Sequence, residues 1–116
     1  MIWMAGYERL RKSTDFSRVM KEGRLLKGSL LLIRSAPGLE GITRIGYAVS
    51  KKHGNSVKRN RIKRVFREAA RAAANLPEST DMVFVPRSAM DSSDIKTQDV
   101  TRELERLLSE PRRNGR

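Results

Sequence analysis

The chain contains no cysteine. That absence removes disulfides, thiolate zinc sites and thiol nucleophiles together. Histidine is almost as scarce: His53 stands alone, so no His-rich metal site is available. Hydrophobic residues make up 38% of the chain and aromatics only 5%. An average domain reaches roughly 45–50% apolar residues when glycine is counted, so the expected core is thin. There is no apolar run of the length a membrane span needs. The opening residues, MIWMAGYERLRK, lack an apolar stretch long enough for a signal peptide. The expectation is a soluble, cytoplasmic protein.

What is present is positive charge. Over 116 residues, 25 Lys and Arg oppose 13 Asp and Glu, a formal charge of +12. This length suits one domain, and residues 1–116 are read as one, with 1–12 and 111–116 as mobile ends. The charge is also uneven: Gly41 to Arg67 contains no acid at all. That stretch carries Arg44, Lys51, Lys52, Lys58, Arg59, Arg61, Lys63, Arg64 and Arg67. A field of this kind attracts polyanions, of which nucleic acid is the common one.

The hydrophobic period changes along the chain in a readable order. Ser13 or Thr14 is placed to cap a first helix, with Asp15 in its first turn and Gly23 as its stop. Phe16, Val19 and Met20 share one face of that helix. Leu30–Ile33 reads as a strand, 36–41 as a turn, and the alternation at Ile45, Tyr47 and Val49 as a half-buried strand. A long helix follows from Ser56 to Asn75, then a strand at Met82–Val85. Val100, Leu104, Leu107 and Leu108 form the apolar face of a last helix, closed by Pro111. The implied fold class is α+β, an α/β sandwich with helices packed on one small sheet.

On the long helix, Ile62, Val65, Phe66, Ala69, Ala73 and Leu76 fall on one side. Asn60, Lys63, Arg64, Arg67 and Arg71 fall opposite. Lys58, Arg59 and Arg61 crowd the N-terminal turns. Cations there oppose the helix dipole by about 0.3–1 kcal/mol each when exposed. A bound phosphate reverses the sign, pairing with the cations and accepting from free first-turn N–H groups. Gly54 permits close backbone approach, and Asn55 and Asn60 supply a cap and a polar contact.

The pattern points to a polyanion without saying which one, and other readings compete. A DNA recognition helix would need a short helix just before residue 56, where strand residues stand instead. A nuclear-localisation cluster would not explain the interleaved Asn and Gly. An autonomous metal nuclease would need convergent carboxylates. Asp91, Asp94, Asp99, Glu103 and Glu105 read as loop, cap and helix-surface residues. His53 reads as a bystander near phosphate. Arg9, Arg11 and Lys12 supply phosphate contacts or simply solvate the end.

Residues 49–64, VSKKHGNSVKRNRIKR, closely resemble the signature of the bacterial ribonuclease P protein family. Lys51, Lys52, Gly54, Asn55, Val57, Arg59, Asn60, Arg61, Ile62, Lys63 and Arg64 match it, and Ser56 stands where Ala is usual. Asp15-Phe16, the strand followed by Pro86-Arg87, and the closing helix extend the resemblance over most of the chain.

The resemblance implies the order α-β-β-β-α-β-α around a small mixed sheet. It also implies a left-handed βαβ crossover carrying the Arg-Asn-Arg helix, although about 98% of such crossovers are right-handed. Similar crossovers occur in a ribosomal small-subunit protein and in a domain of elongation factor G, so fold alone does not settle function.

The function it implies is that of a protein subunit. A catalytic RNA binds Mg²⁺ and cuts precursor tRNA at the mature 5′ end; the protein docks on that RNA and contacts the 5′ leader. No DNA and no membrane partner is expected. The residues assigned to the catalytic RNA are Lys51, Lys52, Asn55, Lys58, Arg59, Asn60, Arg61, Lys63, Arg64 and Arg67. Those assigned to the leader are Phe16, Met20, Arg34 and Arg87. Met20 and Arg34 stand where aromatics are common in the family; Arg34 offers either a phosphate contact or a guanidinium stacked on a base instead, and core packing is the alternative reading of Phe16. No catalytic or metal-binding residue is assigned to this chain. A ribosomal or RNA-chaperone module of similar shape is the second reading, and a DNA-binding helix domain the third.

Overall fold

The computed structural model describes residues 7–91 and 94–109. Its elements run β1 (Glu8–Arg9), α1 (Ser13–Glu22), β2 (Arg24–Lys27), β3 (Leu31–Pro37), β4 (Arg44–Tyr47), α2 (Ser56–Ala72), β5 (Thr80–Pro86) and α3 (Thr97–Ser109). One 3₁₀ turn, Lys51–His53, precedes α2, and another, Ser88–Asp91, follows β5.

The strands form one sheet in the order β1-β4-β5-β3-β2. β2 and β3 make an antiparallel hairpin, and β3 also pairs antiparallel with β5. β4 and β5 are parallel neighbours joined through α2, with Ile45 opposite Met82 and Tyr47 opposite Phe84. Parallel neighbours need such a crossover, because a tight turn reverses the chain.

Strand alternation divides the apolar residues between the two faces. Leu31, Ile33, Ile45, Met82 and Phe84 meet Ile62, Val65, Phe66 and Ala69 of α2 and Val100, Leu104 and Leu107 of α3. Phe66, Phe84 and Tyr47 form an aromatic triangle at its centre, with centroids 5.6 to 6.0 Å apart. The opposite face buries Leu10, Val19, Ala36 and Val83, with Phe16 and Met20 partly covering them. The fold is therefore a mixed α+β sandwich.

Several local expectations are corrected. The first dozen residues are not all a loose end: Glu8 N donates to Thr43 O and Leu10 N to Ile45 O, adding a parallel edge strand. Neither Ser13 nor Thr14 caps α1. Lys12 is the N-cap, because its carbonyl accepts the first helical bond from Phe16 N, and its ammonium has no acceptor with which to cap the first turn.

α2 stops at Ala72 rather than Asn75. Glu105 of α3 accepts from Ala74 N at 2.8 Å, and Asn75 Nδ2 donates to Glu105 O at 2.9 Å, drawing the chain out of the helix. β3 extends to Pro37, into the segment read as a turn. Glu103 is not a helix-surface acid. It is buried, accepting from Leu30 N at 2.7 Å, Leu31 N at 3.1 Å and Ser29 Oγ at 2.8 Å. Pro111 and the arginines at 112, 113 and 116 lie outside the described residues.

Candidate RNA-binding surface

The loop before α2 is built from residues with separate jobs. The 3₁₀ turn at Lys51–His53 turns Lys51 and Lys52 outward and His53 inward. His53 is no bystander: it is buried, with Nδ1 3.0 Å from Asp91 Oδ1. Gly54 then takes φ +113°, a backbone conformation L side chains rarely adopt. A Cβ there would meet Lys58 Cδ at 2.8 Å, so glycine also lets Lys58 lie against the loop. Asn55 caps the helix as its sequence position implies, accepting from Lys58 N at 3.0 Å.

α2 then sorts its residues by period. Ile62, Val65, Phe66, Ala69 and Ala70 are buried. Lys58, Asn60, Arg61, Arg64 and Arg67 are exposed, and Lys63 is half-buried. Arg59 is half-buried because Nε folds back to donate to Gly54 O at 3.2 Å, holding its guanidinium at the helix mouth. Among the described residues, Lys51, Lys52, Lys58, Arg64 and Arg67 have no ion-pair partner. A cavity of about 190 Å³ is lined by Lys58, Arg61, Ile62, His53, Met90 and Asp91. The ten residues assigned to the catalytic RNA thus come together on one helix and the turn that feeds it.

Of the residues assigned to the leader, Phe16, Met20 and Arg34 lie on the other face of the sheet. Phe16 lies over β4, where a Cβ on Gly46 would stand only 2.8 Å from Phe16 Cε2. Glycine at 46 makes that approach possible, and Phe16 is half-buried rather than free. Met20 is half-buried on the same helix. Arg34 Nη1 donates to Gly23 O at 3.2 Å, tying β3 to the end of α1. Arg87 is exposed, with Nη1 donating to Gly28 O at 3.0 Å. α1 covers only part of this face. Leu25, Leu32, Ala48 and Val85 stay partly exposed on this face.

The same face holds a charged cluster that no sequence motif marks. Asp81, with no exposed side-chain surface, is gripped by Arg44 through Nε at 2.9 Å and Nη2 at 2.8 Å, and by Arg18 of α1. Asp15 of α1 accepts from Arg44 Nη1 at 3.3 Å. Burial alone would raise the Asp81 carboxyl; hydrogen bonds from Arg44 and Arg18 outweigh it and hold it below its ordinary value. Donating the same bonds to Asp81 raises Arg44 above its ordinary value. Glu103 behaves alike: burial pushes it up, and the Leu30 amide, the Ser29 hydroxyl and the Leu31 amide bring it net down.

Among the described residues, the side-chain donors do not make a Mg²⁺ site. Among the described residues no three His, Asp or Glu side chains stand together to hold a metal. Asp15 and Asp81 face arginines and Glu103 faces backbone amides, so these carboxylates are already committed. Among the described residues, no helix is long and apolar enough to cross a membrane.

Fold and surface together define a small α+β protein that carries a cationic helix on one side of its sheet and a partly exposed apolar face on the other. The Ribonuclease P family model matches residues 4–112. The ribonuclease P protein component of Caldanaerobacter subterraneus subsp. tengcongensis is 36% identical over 101 residues, covering 86% of this chain and 85% of its own. The solved RNase P protein from Thermotoga maritima superposes with TM-score 0.78 at 30% identity, covering 87% of this chain and 94% of that one. A Staphylococcus aureus RNase P protein mutant, described as defective in mRNA degradation activity, matches with TM-score 0.74 at 31% identity, covering 86% and 84%. This chain belongs to the ribonuclease P protein family, the protein subunits of an endoribonuclease complex that acts on tRNA precursors.

Proposed function

We propose that this chain docks on the catalytic RNA of ribonuclease P through α2 and its preceding turn, and holds the 5′ leader of precursor tRNA beside α1. The observation that carries the reading is the group of cations, Lys58, Arg59 and Arg61, in the first turns of a helix capped by Asn55. Stability alone disfavours cations there, whereas an RNA phosphate would pair with them and accept from free N–H groups. Exposed Lys51, Lys52, Asn60, Arg64 and Arg67, with half-buried Lys63, extend the same surface.

The leader lies over the part of the sheet that α1 leaves open. Leu32, Val85 and Leu25 offer apolar contact there, Phe16 and Met20 form the helix wall, and Arg34 and Arg87 supply cations toward phosphates. Mg²⁺ and the cleavage chemistry belong to the RNA partner, and the complex works in the cytoplasm. This chain's part is to bind, to orient, and to favour precursor over product.

Reconstitution tests the reading. The purified protein is mixed with a bacterial ribonuclease P RNA and a precursor tRNA, at Mg²⁺ too low for the RNA alone. The expected result is a mature 5′ end that appears only when protein is added. Tight binding without protein-dependent cleavage would favour an RNA-chaperone or ribosomal module instead. Cleavage by the protein without the catalytic RNA would overturn the division of labour.

A further inference from the structure

A second cationic site lies at the far end of α2, away from the helix mouth. Tyr7, Arg9, Tyr47, Arg67 and Arg71 line a cavity of about 220 Å³ between α2 and the β1–β4 edge of the sheet. Arg67 and Arg71 are one turn apart on α2, and Arg9 approaches from the edge strand. Among the described residues none of these three arginines has an ion-pair partner, and no carboxylate lines the cavity. Like charges four residues apart on a helix destabilise it, so the arrangement is one that a bound anion relieves.

The tyrosines narrow the ligand class. Tyr7 Oη donates to Arg67 O at 3.2 Å, and Tyr47 Oη stands 2.9 Å from Tyr7 Oη. The Tyr47 proton therefore goes to Tyr7, and both phenol protons are committed within the chain. Donors left to a ligand are guanidinium N–H groups, which suits a group that only accepts. Tyr47 also stacks on Phe66 at 5.9 Å and 24°, so that ring face is taken and is not a platform for a base. The cavity is smaller than the roughly 300–1,000 Å³ of drug-sized ligand sites.

We propose that this cavity holds a backbone phosphodiester of the same RNA that packs on the N-terminal half of α2. The proposal rests on the docking reading above and deepens it. Arg61 and Arg71 are about 15 Å apart along the helix axis at 1.5 Å per residue, so one strand of RNA crossing α2 would meet both cationic groups. Arg9 makes the edge strand β1 part of that interface.

The test compares three full-length proteins on a labelled bacterial ribonuclease P RNA and on an unrelated structured RNA, over a salt series. They are the wild type, Arg9→Gln/Arg71→Gln, and Lys96→Gln/Arg102→Gln. The last removes the same charge at and just before α3, from exposed positions that do not line the cavity. The cavity variant is expected to bind more weakly, with a log–log salt slope shallower by about 1, while the α3 variant keeps the wild-type slope. Circular dichroism is expected to match in all three, because Arg9 and Arg71 are exposed.

Equal weakening in both variants would mean bulk charge alone, and would overturn the proposal. So would an unchanged slope in the cavity variant on both RNAs. The docking reading fails separately, if the wild type itself shows no preference for ribonuclease P RNA. A shallower slope on the unrelated RNA would then still support the cavity as a phosphodiester site.

Discussion

Asp81 shows how much a single residue can decide outside the surface that binds. Its two partners are Arg18 of α1 and Arg44 of β4, and together the three hold that helix on the sheet. Arg18 is 33% exposed and Arg44 16%, so the arginines retain some water while the acid has none. Asp81→Asn keeps the shape and removes the charge, leaving one neutral amide oxygen where two guanidiniums shared a carboxylate. Breaking a buried pair costs about 3–5 kcal/mol, and partial solvation of the arginines lowers the expectation here to roughly 2–4 kcal/mol. Urea unfolding with an unchanged slope and a lower midpoint is the expected outcome; an unmoved midpoint would remove Asp81 from the fold's support. No local pattern marks this residue, because its partners lie 63 and 37 positions away. Glu103 is illegible for the same reason: the amides it accepts from belong to Leu30 and Leu31, remote in sequence.

At the scale of the element, α2 is the most legible part of the molecule. Its apolar period, its Asn55 cap and its acid-free first turn are all local properties, and the structure keeps each of them. The salt dependence of RNA binding belongs to this helix. Arg59→Ala/Arg61→Ala is expected to weaken binding to the catalytic RNA and to flatten the log–log slope by about 0.7–0.9 for each phosphate no longer neutralised. A filter-binding series across salt concentrations measures it, and an unchanged slope would take both residues out of the interface. The ends of elements are less legible. α2 ends where Glu105 reaches over from α3, and α1 begins without the cap its Ser13-Thr14 pair suggests. β1 leaves no signal at all, because a two-residue strand has no period of its own and exists only by pairing with β4.

For the whole molecule, the net charge of +12 and the buried acids together set the response to acid. Asp81 and Glu103 are both held below their ordinary values of 3.8 and 4.5. An acid whose folded pKa is depressed contributes stability that is complete above its unfolded pKa and is lost as pH falls through the folded one. Thermal stability is therefore expected to hold steady down to about pH 5 and to drop below about pH 4, where protonation also removes the few negative charges that offset the cations. Melting curves between pH 7 and pH 3 check this, and Asp81→Asn is expected to flatten the acid limb. By itself the sequence determined the α+β class, the amphipathic helices, the cationic face of α2 and the family, because periodicity, capping and a contiguous motif are written in neighbouring residues. Only the tertiary structure decided that His53 turns inward to Asp91, that Phe16 rests on Gly46, that Asp81 and Glu103 are buried hubs, and that Arg9 meets Arg67 and Arg71 around a tyrosine pair. Those contacts join positions dozens of residues apart, and their energies depend on burial and geometry that no local pattern encodes.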